Sequence, residues 1–283
     1  MRLLVVAGEP SGDRALAAVV TALSRHRATE SFGFGGDALA EAGTRIVAHV
    51  RDVSGLGLFE LAGRAPSIAR ALMRLSAAVR ETPPDVALLA SWSAGNARVG
   101  ARLRRMRVPV VWVSPPEVWA WRKGRTRGLA ACADRFAVTL PFEEALWRAA
   151  GADATYVGHP ALDVRGDESP GSVRRRLGIS DEARAIALMP GSRPAEIARL
   201  VEPFVRAVPL LSSNMASKMA SKMASEMAAT STGMPGGAPV VARLVVAPSL
   251  PDPTRAHLRA ISTSSGIALI EAPTQGALPH ISK

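Results

Sequence analysis

The stretch Leu3-Leu-Val-Val-Ala-Gly-Glu-Pro-Ser-Gly-Asp13 joins a short apolar run to a glycine-bearing turn, with an amphipathic segment behind it. An apolar run without polar alternation is the mark of a parallel strand covered by helices on both faces. Gly8 and Gly12 allow a tight turn and the close approach of a ligand to the backbone. Ser11 or Asp13 is expected to cap the following helix, whose N-terminus favours anions. The pattern is not G-x-G-x-x-G and so argues against a nicotinamide cofactor.

Working outward, similar runs recur at Ser31–Phe34, Arg45–Ala48, Val86–Ala90, Val110–Val113, Phe136–Leu140 and Thr155–Val157. Later ones follow at Ala185–Met189, Leu244–Ala247 and Ile267–Ile270. Between them lie helical periods: Ile68, Leu72, Leu75 and Val79 form one apolar stripe, with Arg70, Arg74 and Arg80 off it. Asn96–Met106 is expected to carry Arg98, Arg102 and Arg105 on one helix face. Strand and helix in alternation predict an α/β fold with doubly wound parallel sheets. The stretch Arg165–Gly171 reads as a linker, which divides the chain into lobes of residues 1–165 and 166–283. A Met-Ala-Ser-Lys repeat from Met215 opens a low-complexity insert, 212–239. Met, Ala and Lys are good helix formers, but the repeat reads first as an expanded loop.

Composition narrows the function classes. A single cysteine, Cys132, excludes an internal disulfide and reads as a small core residue in a reducing cytosol. The run Leu3–Ala7 is too short for the apolar region of a secretory signal, and nothing approaches the ~20 apolar residues of a membrane-spanning helix. A soluble or membrane-peripheral protein is therefore expected. Between Arg64 and Arg127 there are 13 basic residues against Glu81, Asp85 and Glu117. Such a field is either a solvated arginine-rich surface or a site for an anionic partner. Aromatic residues are only 4% and no nucleic-acid-binding motif is present, which argues against nucleic acid.

Three further motifs carry chemistry. Val113-Ser-Pro-Pro-Glu-Val-Trp-Ala-Trp-Arg122 is followed by Lys123, Arg125 and Arg127. Trp119 and Trp121 with Arg122, Lys123 and Arg125 suit an acyl chain, a sugar face or a membrane interface, or else place one indole in the core. Gly158-His159-Pro160 sits at the expected interlobe crossover and is either structural or part of a site. Pro190-Gly-Ser-Arg193, with Glu196 three residues on, can cradle a diphosphate. It can equally be a helix start capped by Ser192 and supported by Glu196.

In order and spacing these motifs resemble the lipid-A-disaccharide synthase family. The resemblance runs through A-G-E-P-S-G-D at Ala7–Asp13, G-F-G-G at Gly33–Gly36 and L-G-L-F-E at Leu56–Glu60. It continues through V-W-A-W-R, L-P-F-E at Leu140–Glu143, V-G-H-P, and L-M-P-G-S-R-P-A-E at Leu188–Glu196. It implies a GT-B arrangement of two Rossmann-like lobes facing across a cleft, the second incomplete. It implies a glycosyltransferase that joins UDP-2,3-diacylglucosamine to 2,3-diacylglucosamine 1-phosphate and releases UDP, acting peripherally on the inner face of the cytoplasmic membrane. Gly8, Glu9, Ser11, Gly12 and Asp13 would then line the acceptor side. Gly158, His159, Gly191, Ser192, Arg193 and Glu196 would face the UDP-sugar donor, and Trp119, Trp121 and the basic cluster would contact lipid or an anionic membrane. Neither a metal nor a cofactor is implied.

Two departures from the family stand out. Where the family has I-D-x-P-D-F-N, this chain reads Ala90-Ser-Trp-Ser-Ala-Gly-Asn96. Both aspartates are absent, and Ser91, at the position of the family's favoured base, cannot replace a carboxylate as a proton acceptor near neutral pH. The chain also stops at Lys283, where the resemblance places an S-G-T-A-x-x-E element, so the 283 residues alone are expected not to form the disaccharide. A non-catalytic lipid-phosphate-binding remnant is one alternative. Another UDP-sugar GT-B enzyme, such as an epimerase, is a second.

Overall fold

Strand β1 (Arg2–Ala7) places Leu3 to Ala7 out of solvent altogether, so the opening apolar run is a central strand. The computed structural model describes residues 1–50, 65–120, 123–162, 168–227, 239–248 and 250–271. It divides into two units, Met1–Arg165 and Gly166–Lys283.

In the first unit β1 is followed by α1 (Pro10–His26), β2 (Glu30–Gly35), α2 (Asp37–Glu41) and β3 (Arg45–His49). Then come α3 (Ala65–Glu81), β4 (Val86–Ala90), α4 (Ser93–Arg105) and β5 (Val110–Val113). The unit ends with α5 (Thr126–Ala130), β6 (Arg135–Val138), α6 (Pro141–Ala149) and β7 (Ala154–Tyr156). All seven strands are parallel, in the order β3-β2-β1-β4-β5-β6-β7. Chain direction through the sheet therefore reverses between β1 and β4, and the crevice beyond their carboxyl ends is where such sheets bind ligands.

Each sheet face has its own core. On one side α1 and α2 bring Leu16, Val20 and Leu39 against Leu3, Val5 and Leu88. On the other, Leu75, Val79, Val99 and Leu103 of α3 and α4 cover Leu4, Val6 and Leu89. That second core continues into an aromatic stack: Trp147 lies 4.7 Å from Phe136, which lies 6.0 Å from Trp112.

The second unit has α7 (Pro170–Arg176), β8 (Arg184–Leu188), α8 (Pro194–Met227), β9 (Val240–Val246), α9 (Asp252–Ser265) and β10 (Leu269–Glu271). Its three strands are parallel in the order β10-β9-β8. Ile197 and Val201 of α8 and Leu258 of α9 cover Leu188, Leu244 and Val246.

Several expectations are corrected. The Met-Ala-Ser-Lys repeat is helical, continuing α8 to Met227 instead of forming a loop, in keeping with its helix-forming residues. Pro170 and Gly171, read as linker, open α7, where the Ser169 hydroxyl accepts the Ser172 amide. Strand β6 stops at Val138, because the Thr139 and Leu140 amides turn to the Glu143 carboxylate. Cys132 is half-buried rather than a core residue; burial pushes its thiol up, and its sulfur donates to the Gly128 carbonyl.

Gly33, in the G-F-G-G stretch, has φ +150, and a Cβ there would lie 2.0 Å from the Val5 carbonyl oxygen in the neighbouring strand. Only glycine fits where two backbones come so close. Gly33→Ala is expected to destabilise the protein by about 2 kcal/mol or more, read as a lower urea midpoint for the full chain.

Candidate functional site

The carboxyl ends of β1 and β4 meet at two loops. The first, Gly8–Asp13, enters α1 with Glu9 at the N-cap position and Pro10 in the first turn. Neither Ser11 nor Asp13 caps the helix as expected. Asp13, 5% exposed, turns away and accepts the Gly36 amide at 2.6 Å and the Ala38 amide at 3.0 Å. The carboxylate instead fixes the entry to α2 and ties the first motif to G-F-G-G.

The second loop, Ser91–Trp92, is left-handed at both residues, with φ 53 and φ 45. Such backbone costs free energy and persists only where neighbours hold it. Here the holder is Asn96, wholly buried in α4. Its amide group donates to the carbonyls of Ala90 at 2.9 Å and Ser91 at 2.6 Å, with the Val6 carbonyl of β1 at 3.5 Å. The Ser11 and Ser91 hydroxyls face each other at 3.5 Å across the two loops.

The glycines of this site make room for the neighbouring loop. A Cβ on Gly8 would fall 2.1 Å from Trp92 Cβ, and one on Gly12 would fall 2.7 Å from the Ser91 hydroxyl. They admit the second loop. Trp92 also lies where a side chain of residue 95 would stand, since a Cβ on Gly95 would be 2.3 Å from its indole. That ring also sits 5.5 Å from Phe34.

Trp119 is only partly available as a contact surface. Its indole N–H donates to Glu143 Oε1 at 3.1 Å, and its ring meets Phe142 edge-on at 5.3 Å. Glu143, 2% exposed, also accepts the Thr139 and Leu140 amides, so L-P-F-E serves as the anchor for this tryptophan. Trp121 and Arg122 lie outside the described residues, as does the L-G-L-F-E stretch. Lys123 opens a short 3-10 turn that ends at Arg125, whose side chain is exposed. Arg98, Arg102 and Arg105 all lie on α4 at spacings of four and three, which puts them on one helix face; Arg98 and Arg102 border one groove and Arg105 a second with Arg104 and Arg107.

Gly158 has φ +85, a left-handed turn, and His159 begins the 3-10 turn Pro160–Leu162 through its carbonyl, which accepts the Leu162 amide. The ring of His159 is exposed.

In the second unit, Gly191–Arg193 joins β8 to α8. Gly191 has φ +133, and a Cβ there would meet the Glu196 side chain at 2.6 Å. Ser192 does not cap through its hydroxyl. Glu196 reaches back instead, accepting the Ser192 amide at 3.0 Å and the Arg193 guanidinium at 3.1 Å. These bonds, the Ser192 amide first, hold the Glu196 carboxyl below its usual range. The result is a fixed turn with an arginine, about half exposed, at the start of a long helix. Such a turn suits an anion. Among the described residues no cluster of His, Cys, Asp or Glu is placed to hold a metal ion.

Residues 3–227 match the family model for lipid-A-disaccharide synthetase. The chain belongs to that family. The lipid-A-disaccharide synthase of Myxococcus xanthus is 42% identical over 214 residues, 75% of this chain and 56% of that protein. The chain spans about half the length of the curated relatives it matches. Among solved structures, the S. aureus MnaA–UDP complex has a TM-score of 0.59 at 13% identity, covering 96% of this chain and 68% of the other. The UDP-GlcNAc 2-epimerase of Neisseria meningitidis bound to UDP-GlcNAc gives 0.52 at 10% identity, covering 97% and 73%. At such identities the likeness concerns the fold, and it establishes the α/β, GT-B-like class expected from the sequence.

Asn96 and Trp92 are the residues that sequence reading passed over. Asn96 is the one polar residue shared with the family's I-D-x-P-D-F-N, and that was its available signal. Trp92 gave none, because only the fold brings it over Gly8.

Two outcomes follow from these contacts. Gly95→Phe alone, which drives a ring into the Trp92 indole, is expected to destabilise the chain by about 1–3 kcal/mol. Combined with Trp92→Ala it should recover most of that loss, giving a negative coupling in a double-mutant cycle read by urea unfolding. For Glu196 the folded carboxyl titrates below its ordinary value of 4.5. Its stabilising contribution is therefore present above that value and lost as pH falls through the lower folded one. The melting temperature of the full chain should exceed that of Glu196→Gln from neutral pH down to about pH 5, and the gap should close in stronger acid.

Proposed function

We propose that this chain supplies the acceptor-side lobe, residues 1–165, and part of the donor-side lobe, residues 166–283, of a lipid-A-disaccharide synthase. The observation that carries this reading is the family match across residues 3–227, which includes both loops described above. In the reaction, the 6-hydroxyl of 2,3-diacylglucosamine 1-phosphate attacks the anomeric carbon of UDP-2,3-diacylglucosamine. The bond to the diphosphate oxygen breaks, UDP departs with the electron pair, and the hydroxyl proton passes to a base.

Each half of this chemistry has a candidate place. The turn Gly191–Arg193 offers backbone amides, the Ser192 hydroxyl and the Arg193 guanidinium to the leaving diphosphate, with Glu196 holding the guanidinium in position. Gly158 and His159 are assigned to the same donor side. Gly8 to Asp13 and the Ser11–Ser91 pair would border the acceptor. Ser91 stands where the family carries its candidate base and is no base itself near neutral pH. Trp119, Trp121, Arg122, Lys123 and Arg125 are assigned to lipid at the inner face of the cytoplasmic membrane. Among the described residues no helix is long and apolar enough to cross a membrane.

The epimerase alternative draws support from fold alone, whereas sequence similarity of 42% lies with the synthases. The test has two readouts. Arg193→Ala is expected to weaken UDP binding to the full chain about tenfold or more, measured by calorimetry, and unchanged affinity would remove Arg193 from the donor side. With the remaining length of a relative supplied as a second polypeptide, Ser91→Asp should raise acceptor-dependent UDP release by about 10²-fold. Aspartate tolerates the left-handed backbone at this position. A folded variant with no gain would sink the assignment of position 91.

A further inference from the structure

Helices α3 and α4 do not close against each other along their whole length. Between them lies a groove of about 160 Å³ whose apolar lining includes Leu72, Leu75 and Met106, with Arg80, Arg98 and Arg102 beside them. No acidic residue lines it. Met106 is 45% exposed although it belongs to this apolar lining. Arg98 reaches only the Ala94 carbonyl, at 3.5 Å, while the guanidinium groups of Arg80 and Arg102 have no hydrogen-bond partner among the described residues.

Both helices run back from the carboxyl ends of the strands, so Arg80 and Met106, at their far ends, sit toward the amino ends of the sheet. The groove thus runs toward the amino ends of the strands, whereas the Ser11–Ser91 pair lies at their carboxyl ends. The transferase reading gives it no role.

Size, polarity and charge together select an occupant. About 150 Å³ of apolar space accommodates one benzene-sized group, so the groove takes a stretch of a single alkyl chain and not two. An apolar cleft with a few convergent polar groups is the usual form of a small-molecule site. Planar guanidinium groups suit phosphate, and three of them without a carboxylate suit a head carrying more than one negative charge. From this we infer that the α3–α4 groove is a binding site for a single-chain alkyl phosphate, with the chain between the helices and the phosphate on Arg80, Arg98 and Arg102.

The experiment uses the full chain labelled with ¹³C at the methionine methyls, the Met106 signal being assigned by Met106→Leu. Octyl phosphate, titrated below its micelle concentration, should shift the Met106 methyl saturably and with sub-millimolar affinity, weakening as salt is raised. The double variant Arg98→Gln/Arg102→Gln, at exposed positions, should lose about tenfold or more in affinity. Ser76→Phe, which fills the groove while leaving every charge in place, should lose it as well. Inorganic phosphate and neutral octyl glucoside should each fail to produce the shift. Equal binding of either one would overturn joint recognition of head and chain. Unaltered octyl phosphate affinity in both variants would overturn the site itself. Sedimentation with phosphatidylglycerol vesicles that Ser76→Phe leaves intact, combined with no response to octyl phosphate, would show a bilayer-facing arginine surface instead. None of these readouts involves UDP or transfer, so failure here leaves the proposed reaction standing and the reverse also holds.

Discussion

The carboxamide of Asn96 holds together the one place where the parallel sheet changes direction. Beyond β1 and β4 the chain departs to opposite faces, and the Ser91–Trp92 turn that leads from β4 into α4 has to be held in a left-handed backbone. A buried carbonyl with no donor is costly. Asn96 answers this from inside α4 by donating to Ala90 and Ser91 and approaching Val6. With those bonds in place, Ser91 and Trp92 can keep their left-handed backbone, α4 can begin, and the indole of Trp92 can lie over Gly8 and Gly95. Most features of the first unit's candidate site hang on that amide.

The same logic recurs in the second unit on a smaller scale. A glycine with positive φ admits a carboxylate, and the carboxylate, Glu196, fixes a backbone amide and a guanidinium. Asp13 and Glu143 act likewise in the first unit, each accepting two backbone amides, Glu143 also accepting the Trp119 indole. Asp13, Glu143 and Glu196 thus spend their hydrogen-bonding capacity on loop geometry. The cations are left to face outward, where the excess of arginine gives both the Gly191–Arg193 turn and the α3–α4 groove their sign. That division of labour explains how motifs associated with ligands can also be rigid parts of the fold.

The strands were legible because an apolar run such as Leu3–Ala7 has one physical explanation in a chain this rich in intervening helices. Boundaries were less so: β6 ends at Val138 only because Glu143, five residues on, captures the amides of Thr139 and Leu140. The Met-Ala-Ser-Lys repeat misled through its low complexity, while its helix propensity pointed the right way. In the site, the residue types were readable and their partners were not. Glycine signals a close approach without saying what approaches, and at Gly8, Gly12 and Gly191 the neighbour is a side chain of the protein itself.

Sequence by itself determined the α/β class, the parallel strands, the positive field and the family, since each rests on patterns local in the chain or on the order of motifs. Tertiary structure decided which groups meet. Trp92 over Gly8, Asp13 on the Gly36 and Ala38 amides, Trp119 on Glu143, and the groove framed by Arg80, Arg98 and Arg102 all join residues through packed helices and neighbouring strands. Distances of that kind are set by how elements pack, and no spacing along a chain encodes them.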